Sequence, residues 1–427
     1  MKKFISFALA ALLLLSTLAG CGSNPNDTAP DTEDTQNGIQ AYGPDAWDGS
    51  VASSFDGGDG SETDPYRIAV AEQLAFLASE INSGKSYTGK HFALTSDIEL
   101  ADRPWTPIGI SDHPFSGSFD GRGFRIKNVN ISIIHDYVTK EGNAVMKSGD
   151  AGLFGSCLDA SFSNIVLDKV CVSIDNINAY QMLNVAALVG CININSDSYI
   201  SNVKINKCTT KFSGNTKDPN PRSSLDIGGI IGNAKIFESA KYTMSTLESD
   251  IDIKMSNSLG YNNIGAVVGR VNNKSVLTCK NTACYVSIEK DSIQRDEAGG
   301  IIGTCITYAN AQTKLENAFS SVRSNVRSKG SNNGNLSDRY CYINAAIGSA
   351  GVHGKSDGRY EFINVFGHVQ PKGEKAGFSE AYYTLYTTDG EETYTETNCK
   401  GCDSLPDNHG FDTNIWDVSD PKKPVLK

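Results

Sequence analysis

The chain has 427 residues, with 38 Lys or Arg against 49 Asp or Glu, so its formal net charge is −11. This acidic balance makes nucleic acid and a polybasic membrane patch poor candidates for partners, and we predict no nucleic-acid partner. Hydrophobic residues make up 39% of the chain, which is long enough to bury a large core.

The N-terminus predicts export. Lys2 and Lys3 precede a short apolar run over 4–18, which is typical of a secretory signal and too short to span a membrane. The run ends in Leu18-Ala19-Gly20-Cys21, which resembles the lipobox of bacterial lipoproteins. The resemblance implies a signal peptide over 1–20 and a lipid anchor on Cys21, which would hold the exported protein on the bacterial membrane. The alternative is an ordinary cleavage site with a chance cysteine.

Residues 21–58 are predicted to form a flexible tether. They are rich in Asn, Asp, Thr, Pro, Ser and Gly, so they bury too little apolar surface to order themselves. A random coil of ~35 residues reaches ~30–35 Å, which would hold the folded part clear of the membrane.

Residues 59–136 are predicted to hold a capping helix and the first β-helix coils. Within 69–83 apolar residues recur at helical spacing, and Gly84 follows as a helix stop. The spacing then changes to the two-residue step of strands, with a slip of phase near Asn128. The apolar positions are Val70, Leu74, Leu77 and Ile81 in the helix and Phe92, Leu94, Ile98 and Leu100 in the first strands.

A motif of one small residue, two apolar residues and a glycine recurs through residues 137–376. Its closing glycines lie 34 to 45 residues apart, a period that indicates a solenoid of stacked units. We interpret each copy as a buried strand in close contact with the coils above and below. The copies are Gly152-Leu153-Phe154-Gly155, Ala187-Leu188-Val189-Gly190, Gly229-Ile230-Ile231-Gly232, Ala266-Val267-Val268-Gly269, Gly300-Ile301-Ile302-Gly303 and a degraded Ala345-Ala346-Ile347-Gly348.

An asparagine followed by an apolar residue recurs in step with the glycine motif. Asparagine tolerates the left-handed backbone conformation, so these pairs predict tight corners whose stacked side chains can form ladders. Strands that repeat with turns between them predict an all-β fold, a parallel β-helix solenoid with a short N-terminal capping helix. The pairs are Asn164-Ile165, Asn202-Val203, Asn317-Ala318 and Asn364-Val365.

Ten cysteines follow Cys21. Cys157, Cys191 and Cys305 lie one or two residues past a motif glycine, which predicts a stacked ladder of small buried side chains. The CxxC pair of Cys399 and Cys402 is interpreted as a local disulfide or as two free thiols, because no second pair or suitably spaced histidine supports zinc.

Residues 377–427 are predicted to form a C-terminal capping segment. The strand edges at a solenoid's end need a cover. Phe411, Ile415, Trp416 and the finish Pro424-Val425-Leu426 supply apolar side chains for it.

Several stretches outside the motif share a pattern with one family. Together with the Gly-Ile-Ile-Gly repeats they resemble the GLUG-repeat surface proteins of bacteria, within the pectin-lyase-like right-handed β-helices. The resemblance covers most of the chain after about residue 58, and it departs from a clean repeat at Ala187, Ala266 and Gly348. It implies a right-handed β-helix at the cell surface and no single activity. The stretches are Gly60 to Ile68 with the following helix, Thr95 to Leu100, Trp105 to Gly109, Phe115 to Gly123 and Phe411 to Leu426.

No catalytic, cofactor-binding or metal-binding residue is predicted. Arg125-Ile126-Lys127 resembles a polygalacturonase tripeptide, but the other signatures of those enzymes are missing, so we expect an inward Ile between an outward Arg and Lys. None of the six histidines belongs to an HExxH motif. The Gly/Asp-rich stretch over 55–60 lacks the ligand pattern of an EF-hand loop.

One group of polar residues is close enough in sequence to form a site. The favoured interpretation is structural, with Asp120 in a turn and Asp97 at a strand end, and the alternative is a functional site. The group consists of Asp97, Asp102, His113, Asp120 and Arg122.

The expected function is non-catalytic adhesion or recognition of a glycan or host surface protein by a lipid-anchored solenoid. Two alternatives stay open: a polysaccharide lyase or glycoside hydrolase on a β-helix, and a passive structural spacer. Grouped exposed carboxylates with a cation would favour the enzyme, exposed aromatics in a groove would favour glycan binding, and a uniformly polar surface would favour the spacer. The loops over 212–224 and 328–338 are candidates for ligand diversity.

Overall fold

The computed structural model describes residues 46–134, 147–177, 181–214, 224–256, 261–290, 296–325, 341–353, 358–371, 383–387 and 393–427. The predicted signal peptide, Cys21, the tether as far as residue 45 and the loop over 328–338 lie outside these residues. Within the described part, no helix is long and apolar enough to cross a membrane.

The single helix of the described residues is α1 (Ala71–Asn82), within the predicted range. The side-chain oxygen of Gln73 accepts the N–H groups of Ala69 and Val70 at 2.7 and 3.3 Å, which satisfies the helix N-terminus. Gly84 has a φ of +100° just after the last turn, the left-handed conformation that favours glycine. The predicted apolar stripe is buried in the core of the first coils, except for the exposed Val70.

The remaining elements are short or long β-strands, which follow one another with turns between them. In chain order they are β1 (Tyr66–Ile68), β2 (His91–Leu94), β3 (Ile98–Glu99), β4 (Ser118–Asp120), β5 (Arg125–Ile134), β6 (Lys147–Ala151), β7 (Phe154–Leu158), β8 (Ser161–Ile177), β9 (Gln181–Val185), β10 (Val189–Ile194), β11 (Ser198–Gly214), β12 (Ser224–Gly228), β13 (Ile231–Ile236), β14 (Lys241–Ser256), β15 (Tyr261–Gly265), β16 (Val268–Asn273), β17 (Val276–Lys290), β18 (Asp296–Gly299), β19 (Ile302–Tyr308), β20 (Gln312–Ser324), β21 (Cys341–Asn344), β22 (Ile347–His353), β23 (Arg359–Pro371), β24 (Tyr383–Thr387), β25 (Thr393–Thr397), β26 (Lys400–Gly401), β27 (Trp416–Asp417) and β28 (Val425–Leu426).

Three parallel sheets form the sides of the solenoid. A 13-stranded sheet, the long sheet, runs in the order β1-β2-β4-β8-β11-β14-β17-β20-β23-β25, with β3, β5 and β26 paired to its members. A seven-stranded sheet runs from β7 to β24, and a six-stranded sheet runs from β6 to β21. Successive triplets such as β9-β10-β11 and β12-β13-β14 add one strand to each sheet, so the chain is a parallel β-helix, as predicted.

The interior between the sheets is filled by apolar side chains that stack from coil to coil. In the first coils Phe115, Phe154 and Phe162 form an aromatic cluster with ring centroids 4.8 to 5.9 Å apart. Because each coil leaves its apolar side chains for its neighbours to cover, the coils stabilise one another by burial.

The predicted asparagine corner is present on the long sheet. Asn164, Asn202, Asn317 and Asn364 all have φ between +50° and +54°. Each donates its side-chain N–H to the preceding coil: Asn202 bonds Asn164 at 2.8 Å and Asn364 bonds Asn317 at 2.7 Å, while Asn164 bonds Asp120. The left-handed residue turns the strand, and the amide ladder ties the corner together.

The glycine motif forms a bend followed by the start of a strand, rather than a buried strand over its whole length. Its first two residues bend the chain between the six-stranded and seven-stranded sheets, and its last two begin a strand. A side chain at the closing glycine would collide with backbone: a Cβ on Gly190 would lie 2.6 Å from Ala151 N, and one on Gly348 would lie 2.5 Å from Ala298 N. The glycine is therefore required by the close approach of two strands at a bend.

The predicted stacked ladder of three cysteines does not form, because no two of them are in register on neighbouring strands. Cys157 and Cys305 occupy equivalent inward positions of the seven-stranded sheet. Cys191 instead pairs in register with Ser156 and Asn233, on the opposite side of the sheet. Neighbouring residues of a strand face opposite sides, and Cys191 lies one residue past its glycine whereas the other two lie two residues past theirs.

The ordered fold begins earlier than the tether prediction allowed. Trp47 is buried, with its ring centroid 5.6 Å from that of Trp105, and its backbone N–H donates to Glu99 O at 3.1 Å. Phe55 packs against Tyr66 at 4.9 Å. Two aromatic residues in an otherwise polar stretch supply the apolar surface that the composition as a whole does not suggest.

The end of the chain folds back along the side of the solenoid. After β25 and β26 join β23 on the long sheet, residues 402–427 form a C-terminal strap that includes the antiparallel pair β27 and β28. Strap residues Phe411, Trp416 and Leu426 pack on Phe319 and Phe366 of the long sheet's outer face. The described part of the predicted end cap therefore covers an apolar stripe on the outside of the coils.

The strap reaches coils in the middle of the molecule. The N–H of Leu426 donates to Glu248 Oε2 at 2.6 Å, and Lys204 Nζ donates to Leu426 O at 2.9 Å. The hydroxyl of Tyr285 donates to Pro424 O at 2.7 Å. These bonds tie the last residues to β11, β14 and β17.

Candidate functional site

The five polar residues singled out from the sequence do not form one site, because Asp97 and Asp120 bond to different partners. Asp97 accepts the N–H of Arg125 at 2.9 Å and pairs with Lys127 at 2.7 Å. Asp120 instead accepts the N–H of Arg122 and a side-chain N–H of Asn164, each at 2.9 Å. Both carboxylates hold strand starts and turns in place, as the structural interpretation expects.

The lowered pKa of Asp97 agrees with this structural role. Its partial burial would raise the pKa, but the bonds from Lys127 and the Arg125 N–H outweigh this and lower the pKa below its usual value. A carboxylate held ionised by two partners is suited to anchoring β5 and poorly suited to giving up a proton at neutral pH.

The other members of the group lie in turns. Asp102 has a φ of +53° and follows Ala101, also left-handed, in the turn after β3. His113 pairs with Ile110 across a tight turn and lies beside Gly84 at the end of α1. Among the described residues, no group of three or more His, Cys, Asp or Glu is placed to hold a metal ion.

The tripeptide over 125–127 is arranged as expected. Ile126 is fully buried, while Arg125 reaches Asp168 at 3.4 Å and Lys127 reaches Asp97. The two basic side chains link neighbouring segments by ion pairs on the outer face of the long sheet.

The CxxC pair carries two free, half-buried thiols in this structure, one of the two alternatives left open. Cys399 Sγ donates to Thr397 O at 3.4 Å, and Cys402 Sγ donates to Lys400 O at 3.6 Å. Partial burial raises the pKa of both thiols, which favours the protonated, less nucleophilic form.

A ladder of buried acids and amides runs along the six-stranded sheet and was missed at the level of sequence. Asp150, Asn184, Asp226, Asn263 and Glu297 occupy equivalent positions in five successive coils. Asn184 donates to Asp150 at 2.7 Å, and Asn263 donates to Asp226 at 2.6 Å. Alternation lets each amide N–H satisfy a carboxylate of a neighbouring coil.

A second polar row on the seven-stranded sheet faces this ladder. Asn233 donates to Asp226 at 2.6 Å, and the Thr304 hydroxyl lies 2.5 Å from Glu297 and 2.6 Å from Asn263. Burial raises the pKa of Asp226, although Asn263, the charge of Arg270 and Asn233 oppose the rise.

A pattern in the sequence could have revealed the ladder. Each acid or amide of the ladder is followed directly by an apolar residue and then by a small residue. The copies are Asp150-Ala151-Gly152, Asn184-Val185-Ala186, Asp226-Ile227-Gly228, Asn263-Ile264-Gly265 and Glu297-Ala298-Gly299.

An open depression of about 470 Å³ lies where the strands of the long sheet end, and we call it the strand-end pocket. Five successive coils, carrying β8, β11, β14, β17 and β20, contribute to it. Its volume lies within the roughly 300–1,000 Å³ of small-ligand sites. The residues that line it are Asp175, Lys211, Phe212, Ser213, Lys254, Met255, Ser256, Glu289, Lys290 and Asn325.

The base of the strand-end pocket is fixed by buried contacts. Phe212, Met255 and Lys290 are buried next to one another in register. The backbone of Lys290 donates its N–H to Asn325 Oδ1 at 3.0 Å and accepts the Asn325 side-chain N–H at 2.9 Å. Its ammonium group pairs with buried Asp296.

The rim of the strand-end pocket combines both charges. Lys211 and Lys254 pair in register on β11 and β14, and Glu289 is in register with Lys254 on β17. Asp175 accepts a hydrogen bond from Ser213 at 2.8 Å. The two lysines thus lie side by side at this opening, with Asp175 toward β8 and Glu289 toward β17.

Exposed aromatic side chains lie elsewhere. Tyr199, Phe237 and Tyr261 are 45%, 38% and 50% exposed and belong to three different elements or loops. None of them lines the strand-end pocket. Over the residues that the structure describes, the surface therefore carries scattered exposed aromatic side chains away from the strand-end pocket.

Comparison with known proteins supports the fold and little more. No protein-family profile matches the chain. A protein of Evansella cellulosilytica named "Putative Gly-rich membrane protein" is 28% identical over 120 residues, which cover 21% of this chain and 13% of the relative. The crystal structure titled as that of "a putative immunoglobulin A1 protease from Bacteroides ovatus" matches with a TM-score of 0.50 over 87% of this chain and 95% of that chain, at 16% identity. At this identity the likeness establishes a shared β-helical architecture.

Proposed function

We propose that this chain is an exported lipoprotein, anchored to the bacterial membrane by lipid on Cys21, whose solenoid recognises a glycan or a host surface protein without catalysis. The observation that carries the recognition step is the strand-end pocket, an open, mixed-charge depression built by five successive coils. A rigid solenoid with a site at the edge of its stacked strands suits the display of binding groups to a large ligand.

The anchoring step is supported by the N-terminal sequence and by the likeness to bacterial GLUG-repeat surface proteins. The short matched segment of a relative named as a membrane protein agrees with a membrane setting. Replacement of Cys21 by Ser in the full chain tests the anchor. We expect the wild type in the detergent-soluble membrane fraction with incorporated palmitate, and the variant without label; equal labelling of both contradicts the anchor.

Binding is tested with the chain from Gly22 onward, which keeps Trp47 and Phe55 in the fold. The protein is applied to arrays of mucins and polysaccharides, and the wash is examined by mass spectrometry for released fragments. Retention without fragments is the expected result, and heat-unfolded protein is the control. Released fragments would favour the lyase or hydrolase alternative, and a folded protein retained on no surface would favour the spacer.

A further inference from the structure

We propose that the strand-end pocket binds an anionic glycan, with Lys211 and Lys254 as a clamp for one carboxylate or sulfate group of the sugar. This inference rests on the proposed recognition function and narrows it to one site and one ligand class. Both lysines line the pocket, and they are direct neighbours on adjacent parallel strands.

The two lysines of the clamp place like charges side by side on adjacent strands. Strands of a sheet lie ~4.8 Å apart, so two ammonium groups in register repel each other. Lys127, Lys204 and Lys314, also on the long sheet, each pair with a carboxylate. Within the described residues Lys211 and Lys254 make no ion pair, although Glu289 is in register with Lys254. A bound anion would remove this repulsion and gain two charge-assisted hydrogen bonds.

The acceptors beside the clamp favour a sugar over other polyanions. The carboxylate of Asp175 accepts one bond from Ser213 and keeps a second oxygen for further hydrogen bonds at the same opening. A glycan with one acidic group per few rings presents hydroxyl donors to such oxygens. Nucleic acid or an acidic peptide would instead bring repeated negative charge against Asp175 and Glu289 and against a protein of net charge −11.

The pocket base is pre-organised for such a ligand. Asn325 is locked to the backbone of Lys290 by two hydrogen bonds, and buried Phe212 and Met255 hold the lysine-bearing strands in place. The base itself therefore needs no rearrangement on binding, and the ordering cost falls on the two lysine side chains.

The test uses the chain from Gly22 onward and three soluble probes: 3′-sialyllactose, 6-sulfogalactose and neutral lactose. Lys211→Gln, Lys254→Gln and the double variant are compared with Lys241→Gln. Lys241 is the exposed first residue of β14, the strand whose far end carries Lys254, and it lies outside the pocket. Affinities are measured by titration calorimetry, and thermal melting confirms that each variant is folded.

We expect an acidic probe to bind at least about 10-fold more tightly than lactose, and each pocket substitution to weaken it by about 10-fold or more, with no change for Lys241→Gln. The carboxylate and sulfate probes identify which anion is preferred. Binding of an acidic glycan that survives the double substitution overturns the site while leaving the recognition function intact. Poly-glutamate is titrated in the same way as a polyanion that is not a sugar. If it binds more strongly than either acidic sugar, the proposed ligand class is wrong. Array binding to neutral glycans alone also overturns this inference, and failure to bind any surface overturns the proposed function itself.

Discussion

The ammonium group of Lys290 lies 2.7 Å from Oδ1 and 3.0 Å from Oδ2 of Asp296, with both side chains buried. Asn262 adds a third hydrogen bond to the same carboxylate, at 2.7 Å. The pair joins the end of β17 to the start of β18 beneath the strand-end pocket. A buried ion pair specifies an arrangement, because each charge is costly to bury without the other.

Removal of one partner should therefore be more damaging than removal of both. We expect Lys290→Met to destabilise the fold by about 3–5 kcal/mol, since it leaves Asp296 charged and unpaired. The double variant Lys290→Met with Asp296→Asn should recover much of this loss. Urea unfolding of the wild type, both single variants and the double variant gives the coupling energy, and strictly additive losses would contradict a specific pair.

Two substitutions at the asparagine corner can separate the contribution of the backbone conformation to stability from that of the side-chain hydrogen bonds. Asn317 has a φ of +50°, donates to Asn281 at 3.1 Å and accepts from Asn364 at 2.7 Å. We expect Asn317→Gly to lose about 1 kcal/mol through the ladder bonds alone. Asn317→Ala should lose about 1–2 kcal/mol more, because it adds left-handed strain. Equal losses for the two variants, measured by chemical unfolding, would show that the backbone conformation contributes nothing.

The closing glycine of the motif should tolerate no side chain. A Cβ on Gly190 would lie 2.6 Å from Ala151 N and 2.8 Å from Gly155 O, so Gly190→Ala forces two strands apart. We expect a loss of about 1–3 kcal/mol or more and a lower melting temperature. Lys241→Ala, at an exposed strand start, is the control and should melt like the wild type. An unchanged melting temperature for Gly190→Ala would contradict the close approach.

The C-terminal strap should contribute to stability through Trp416. Its side chain is 1% exposed and packs with Phe411, Phe319 and Phe366, whereas the neighbouring Ile415 is 38% exposed. Trp416→Ala should destabilise the fold by about 3–5 kcal/mol, and Ile415→Ala should change stability much less. Limited proteolysis should then cut the strap of the tryptophan variant first. Equal sensitivity of the two variants would contradict the packed strap.

Buried Asp226 gives a pH dependence with a definite sign. Because burial raises its pKa in the folded state, the folded protein binds the proton more readily than the unfolded chain. Stability from this group therefore falls as the pH rises from the usual carboxyl pKa through the raised one. Asp226→Asn removes that term, so the variant should gain most relative to the wild type near pH 7 and least near pH 4. A melting-temperature difference that is constant with pH would contradict this.

The sequence predicted the elements whose local conformation demands a particular residue. Helix α1 follows from apolar spacing and Gly84, and the corners at Asn164 and Asn202 follow from the left-handed conformation that asparagine tolerates. The motif glycines are recognisable as a repeat, and the closing glycines lie at the start of strands as predicted. The bend formed by the first two motif residues, and the backbone that approaches the closing glycine, are set by the neighbouring coil.

Features that depend on register between distant strands could not be read from one sequence. Cys191 lies in the polar row of the seven-stranded sheet because of a one-residue offset, and the pairing of Lys211 with Lys254 joins positions 43 residues apart. The strap's attachment to Glu248 likewise joins two distant segments. The acid-and-amide ladder was accessible in principle, since each member is followed by an apolar and then a small residue, two or three positions before the glycine motif.

The most direct test of recognition at the strand-end pocket is hydrogen exchange of the chain from Gly22 onward with and without 3′-sialyllactose, together with the mass of the recovered sugar. The account predicts slower exchange in peptides that contain Lys211 to Ser213, Lys254 to Ser256 and Glu289 to Lys290, and a sugar of unchanged mass. Protection confined to the strap or to α1, or a sugar recovered in fragments, would contradict it.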